Sequence, residues 1–221
     1  MTAYTFWTFV HILLFVFWLG TDIGVILIAG YIKRPELSYN QRMLLLRIAG
    51  SIDMWPRTAF VLMLPAGTQL AVTMHLVPIQ TFGLTLIWLF SITWLALVWG
   101  IAMTQGRPIV AMLERVQLLL LVILGLAMIS IGVMSLLGEG PIGPDWLAVK
   151  VVIYGVICGL AIFIDRAFKP LIAAFISLEG RESTAGDEAT ITHSMNNTIV
   201  FVLLIYLAVI LAAFVGVTKL M

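Results

Sequence analysis

Charge is what this sequence has least of. Of 221 residues, only 10% are Asp, Glu, Lys or Arg, while 62% are hydrophobic and the mean hydropathy is +1.13. Soluble domains carry about 25% charged residues, so a water-soluble globule is excluded and most of the chain belongs in lipid. Cysteine is nearly absent: Cys158 is single, lies in an apolar run, and reads as a small packing residue that forms no intrachain disulfide. The net charge of +1 and the lack of any basic tract exclude an electrostatic surface for nucleic acid, so no nucleic acid partner is expected. Also missing are HExxH, CxxC, P-loop and dinucleotide fingerprints, which leaves soluble-type hydrolysis without machinery. The first apolar run has no Lys or Arg before it and no clear small-residue cleavage site, so a retained helix is expected rather than a secretory leader.

What is present is long apolar runs. Segments able to cross a hydrocarbon layer of roughly 30 Å fall at Thr5–Ala29, Met54–Leu76, Leu84–Met103, Gln117–Leu137, Trp146–Phe168 and Asn196–Leu220. They predict an all-α bundle of six transmembrane helices forming one membrane domain over 1–221. Breakers such as Lys33-Arg34-Pro35 and Gln105-Gly106-Arg107-Pro108 separate them. The interfacial connections at 30–53 and 104–116 contain Asn40–Ser51 and Pro108–Arg115, which alternate charged and apolar residues at helical spacing, as an interfacial helix or a helix extension does. The polar stretch 179–192 reads as a mobile cytoplasmic loop.

Lys and Arg mark one side. Lys33, Arg34, Arg42, Arg47 and Arg57 follow the first run, Arg107 and Arg115 the third, and Arg166, Lys169 and Arg181 the fifth. By the positive-inside rule both termini lie outside the cytoplasm, in a bacterial-type inner membrane. Tyr4, Trp7, Trp55 and Trp146 suit interfacial belts.

Ionisable residues within lipid are costly unless they face the bundle interior, so the few present are the candidate functional residues. His11, His75 and Lys150 belong to the outer half; Asp22, Asp53, Arg57, His193, Asn196 and Asn197 belong to the cytoplasmic half. His11 and Asp22 are eleven residues apart, which returns to within about 20° of one helix face roughly 16 Å further along. His11 is either an axial ligand to haem iron or a hydrogen-bonded structural histidine. His75 is either a second ligand or a solvated residue near the interface. Lys150 either snorkels to headgroups or is a cation held in the bundle, one turn from Tyr154. Lys150 and Arg57 are the candidate catalytic cations, and Asp53 and Arg57 have the spacing of a helix-face ion pair.

Three segments carry a family resemblance. Phe9-Val10-His11-Ile12-Leu13-Leu14-Phe15-Val16-Phe17-Trp18-Leu19-Gly20 resembles the opening helix of HemJ-type and CopD-like membrane proteins. Trp146-Leu147-Ala148-Val149-Lys150-Val151 is similar to the HemJ-type helix with a Trp shortly before a Lys, and His193-Ser194-Met195-Asn196-Asn197-Thr198 to the last-helix segment of that family. The resemblance implies a haem-b-binding membrane oxidoreductase of the protoporphyrinogen oxidase type, with His11 on the iron and Lys150 near the haem or substrate; the CopD-like side implies copper handling. Asn197 stands where that family has an acid, and two helices are inserted between the matching segments, so haem binding carries over further than oxidase activity does.

The leading expectation is therefore a haem-b-binding protein serving electron transfer or porphyrinogen oxidation, metal-binding through His11 and, on the opposite side, His75 or a non-His group. Two alternatives stand beside it. One is a small transporter or metal-uptake protein with Asp22, Arg57, His193 and Asn196 along a polar path. The other is a structural subunit of a larger membrane complex. The bilayer is the one certain partner, and a homo-oligomer or larger complex is compatible with either.

Overall fold

Four of the helix boundaries are written in local chemistry. Thr2 accepts a hydrogen bond from the Thr5 amide and starts the first helix. Ser38 with Gln41, and Thr184 with Asp187, form reciprocal capping boxes that start the second and last. The second helix ends in a left-handed residue, His75 at φ 57°, where glycine is usual. The His75 amide donates to the Val72 carbonyl and the Leu76 amide to that of Ala71, at 3.0 and 2.9 Å, closing the last turn.

The computed structural model describes residues 2–219. Among them are α1 (Ala3–Ile32), α2 (Tyr39–Thr73), α3 (Thr81–Met103), α4 (Val110–Leu136), α5 (Asp145–Ser177) and α6 (Ala185–Thr218), with no strand. The expected helical end at Leu220 lies outside the described residues. All but α2 are long and apolar enough to cross a membrane, and the protein is a multi-pass helical membrane bundle. α2 falls short of that measure because Arg42, Arg47 and Asp53 occupy its first half and Arg57 stands just past its middle.

The segment 40–51 is the first part of α2, a helix extension rather than a separate interfacial helix. The stretch 179–192 is mostly helical too: α6 begins at Ala185, because the Thr184–Asp187 box satisfies its first amides. Arg181 holds Asp187 through two bonds of 2.7 and 3.0 Å. With the Thr184 bonds, this keeps the Asp187 carboxyl below the usual carboxylate range.

Neighbours in sequence pack antiparallel. His11 meets Gly67, Thr58 meets Trp99, Trp94 meets Gln117, Gly125 meets Gly155, and Ser194 donates to the Ala167 carbonyl. α1 and α6 close the ring: Tyr206 donates to the Leu19 carbonyl, and Lys33 Nζ to Asn196 Oδ1 at 2.8 Å. α2 and α5 also touch, through Tyr154 donating to the Phe60 carbonyl at 3.1 Å. One end of the bundle therefore holds the two described chain ends, the terminal face. The other holds the α1–α2, α3–α4 and α5–α6 connections, the basic face.

Lipid tails are as apolar as Leu, so helices inside a bilayer associate through close packing. The α4–α5 contact has this form. A Cβ on Gly155 would lie 2.7 Å from the Gly125 carbonyl oxygen, and one on Gly132 would lie 2.8 Å from that of Ala148. Toward the basic face the mode changes. α2, at 35 residues, spans roughly 52 Å, more than the layer needs. The ends of α1, α2, α5 and α6 continue into a second core of Ala29, Ile32, Leu171, Phe175, Ile191 and Met195. Arg42 locks this core, donating to both Glu188 oxygens at 2.8 and 3.0 Å and, through Nε, to the Ile32 carbonyl at 2.7 Å.

Two outcomes are expected. Gly155→Val should cost about 1–3 kcal/mol through overpacking, seen as a lower unfolding midpoint in detergent, whereas Gly20→Val, with nothing within 4 Å of its Cβ, should leave the midpoint unchanged. Arg42 is 3% exposed, so Arg42→Met should cost about 3 kcal/mol by stranding Glu188. The Arg42 hydrogen bond holds the Glu188 carboxyl below its ordinary value. Its stabilising contribution is thus present above the unfolded-state value and lost as pH falls through the lower folded value. Unfolding midpoints from neutral to acid pH should show that loss in the native protein and not in Arg42→Met.

Candidate functional site

α1 presents three inward residues on one face, His11, Trp18 and Asp22, spaced seven and four apart. Around each a different environment has formed.

His11 lies toward the terminal face. Its Nδ1 is buried without a hydrogen-bond partner, as is the hydroxyl of Thr8 one turn earlier. Gly67 of α2 is what admits the ring: a Cβ there would stand 3.3 Å from Cε1 and 3.6 Å from Nδ1. Lys150 of α5 comes within electrostatic reach of His11. Its Nζ rests against α6 where Gly216 leaves room, 2.7 Å from the position a Cβ would occupy. No hydrogen bond or ion pair to Lys150 forms among the described residues.

Trp18 belongs to an aromatic junction in mid-bundle. Phe60 of α2 is its hub, with ring centroids 5.2 Å from Trp18, 5.3 Å from Trp94 of α3 and 5.1 Å from Tyr154 of α5. Phe60 and Trp94 meet edge to face, a favoured arrangement for the ring quadrupoles. Two of these rings have their polar tips engaged: Trp94 Nε1 donates to Gln117 at 3.1 Å, and Tyr154 to the Phe60 carbonyl.

Asp22 lies beyond the junction, in the half nearer the basic face. It lines a cavity of about 80 Å³ together with Asp53, Arg57, Gln117 and Asp165, and Trp18, Phe60 and Trp94 wall the same space. Arg57 Nε donates to Asp53 at 2.6 Å, and both terminal nitrogens approach Asp165 Oδ1 at 3.4 Å. Asp22 is only 7% exposed and accepts no hydrogen bond among the described residues.

The structure thus brings His11 near Lys150, and Asp22 near Asp53 and Arg57. The other sequence candidates lie apart from both groups. His75 is exposed at the end of α2, about 12 Å along the helix axis from Gly67. His193 and Asn197 are exposed and bonded to each other at 3.0 Å, and Asn196 is exposed and holds Lys33. Among the described residues no group of three or more His, Cys, Asp or Glu is arranged to hold a metal ion.

Four participants escaped the sequence reading: Asp165, Gln117, Phe60 and Trp94. Asp165 carried a signal, since it stands eleven residues after Tyr154, the same near-three-turn spacing that links His11 to Asp22. Gln117 and Phe60 carried none, because a lone Gln at a helix start and one Phe among twelve look ordinary.

Compared with protein-family models, curated proteins and solved structures, the chain finds no match in any of the three.

Arg57 is half-buried, and it is the cation on which two of the three cavity carboxylates depend. Arg57→Met should destabilise the protein by about 1–3 kcal/mol, and Asp53→Leu added to it should recover part of that loss. A double-mutant cycle on unfolding in detergent reads the coupling; strictly additive effects would show that the 2.6 Å contact contributes nothing.

Proposed function

We propose that this chain binds a flat cofactor with an anionic edge, of the haem b type, in the half of the bundle nearer the terminal face. His11 would supply the axial nitrogen and Lys150 would meet a propionate. The observation that carries this reading is the pair itself: a buried imidazole nitrogen and an ammonium, from different helices, near one another and both without hydrogen-bond partners among the described residues. Hydrocarbon penalises each of them when unpaired, and a ligand that is a metal centre at one atom and a carboxylate at another satisfies both.

The residues fit such a group in two respects. Gly67 and Gly216 keep side-chain bulk away from the imidazole and the ammonium, and the imidazole has a nitrogen free of any protein bond. The fit also sets a limit. His75 and His193 stand away from His11, so His11 is the one imidazole among the described residues that would hold such a group there. Haem supplies one-electron chemistry when bound. The chain's own part is to fix the ring of His11 against α2, to keep a positive charge on α5, and to wall the site off from the other half with the aromatic junction. The resemblance of the His11 and Lys150 segments to HemJ-type and CopD-like proteins agrees with this reading, and electron transfer or porphyrinogen oxidation is the role that follows from it. The clustering of Lys and Arg on the basic face favours a cytoplasmic position for that face, with both termini outside.

Absorption spectra of protein purified after haem-supplemented expression provide the check. The wild type should show a Soret band, and His11→Ala should remove or shift it. Lys150→Ala should keep the axial bond while weakening haem retention or changing the potential. His75→Ala should change nothing. No Soret band in the wild type, or spectra unaltered by both His11→Ala and Lys150→Ala, would overturn the assignment.

A further inference from the structure

We infer that Asp22 is a proton-binding group, charged and discharged through the small cavity on the basic-face side of the aromatic junction. The inference is independent of whether a cofactor occupies the other half of the bundle.

The first observation is charge balance. Asp22, Asp53 and Asp165 share the cavity with Arg57, three carboxylates against one guanidinium. Arg57 bonds to Asp53 and approaches Asp165. Asp22 lies within the field of Arg57 but accepts no hydrogen bond from it among the described residues, although it is the most buried of the three.

The second observation is Asp22 itself. More than nine-tenths of it is buried, it lines the cavity, and no donor reaches its oxygens among the described residues. The groups around it are accounted for helix by helix. α1 offers the Trp18 indole one turn earlier, α2 offers Asp53 and the engaged Arg57, α4 offers Gln117, whose carbonyl oxygen accepts from Trp94, and α5 offers Asp165. α3 lines the cavity with apolar residues and the committed indole of Trp94. On α6 the Tyr206 hydroxyl, near enough to Asp22 to be coupled to it, is spent on the Leu19 carbonyl. An ionised, unpartnered carboxylate in hydrocarbon is the costliest state open to this side chain, and a proton removes that cost.

A proton suits the site better than a metal ion does. Arg57 already occupies the space between Asp53 and Asp165, and no group of three ligating side chains converges among the described residues. A cavity of about 80 Å³ has room for about two waters at roughly 30 Å³ each. Such waters would link Asp22 to Asp53 and to the Arg57 and Asp165 side chains, which are 40% and 43% exposed. In the other direction Trp18, Phe60 and Trp94 line the wall. Proton exchange with Asp22 therefore runs to one side only.

Infrared spectra of the full-length protein in liposomes, with aspartate carrying carbon-13 at its side-chain carboxyl, test this directly. At neutral pH the wild type should show a protonated-carboxyl stretch that moves with the label, and Asp22→Asn should abolish it. Should Asp22→Asn fail to fold, Asp22→Glu serves instead: the protonated-carboxyl band should remain and lose its sensitivity to the aspartate label. Absence of any label-sensitive protonated band in the wild type, its persistence in Asp22→Asn, or its removal by sodium at constant pH would each overturn the inference, the last by showing a cation site in its place.

Discussion

Phe60 touches Trp18, Trp94 and Tyr154, side chains from three other helices, within a core that also holds Val61, Leu121 and Ile157. Those contacts gather α1, α2, α3 and α5 at one depth. They also divide the interior: His11 and Lys150 lie on one side of the rings, Asp22, Asp53, Arg57 and Asp165 on the other. In a medium where an unpaired polar atom costs several kcal/mol, a dry aromatic layer keeps each polar group within its own half. The division follows from sequence spacing on α1, where Trp18 stands between His11 and Asp22 on one face.

Different forces hold the two ends of this bundle. Within the apolar layer, close approach at Gly125, Gly132 and Gly155 brings α4 and α5 together, because packing replaces the hydrophobic effect there. Toward the basic face the four longest helices build a small core as soluble helices do, with Arg42 and Glu188 sealing its edge. That extension explains why α2 holds so many charges and still belongs in the bundle. Its first half serves the second core and the acidic cavity, and its second half carries Phe60 and the glycine under His11.

Much of the architecture could be read from the residues alone. Apolar runs gave the six helices, and the eleven-residue spacing put His11 and Asp22 on one inward face, because both depend on local periodicity. The i,i+4 pairing of Asp53 with Arg57 is equally local, and it is present at 2.6 Å. Partnerships between helices were not legible. Nothing in the sequence places Asp165 beside Arg57, a hundred residues away, or Lys150 against Gly216. The α6 start was misjudged for a related reason. Residues 185–192 are polar enough to look like loop, and only the bond geometry of Thr184 with Asp187, and of Glu188 with Arg42, shows why they are helical.

The central claim is that the rings around Phe60 separate the polar groups of the terminal half from those of the basic half. Side-specific thiol labelling tests it most directly. In a Cys158→Ala background, His11→Cys and Asp22→Cys would be introduced singly into proteoliposomes of known orientation and treated with a membrane-impermeant maleimide from either side. The account predicts labelling of His11→Cys from the terminal face only and of Asp22→Cys from the basic face only, with both becoming reachable from either face when Phe60→Ala is added. Labelling of both positions from the same face with Phe60 intact would contradict it.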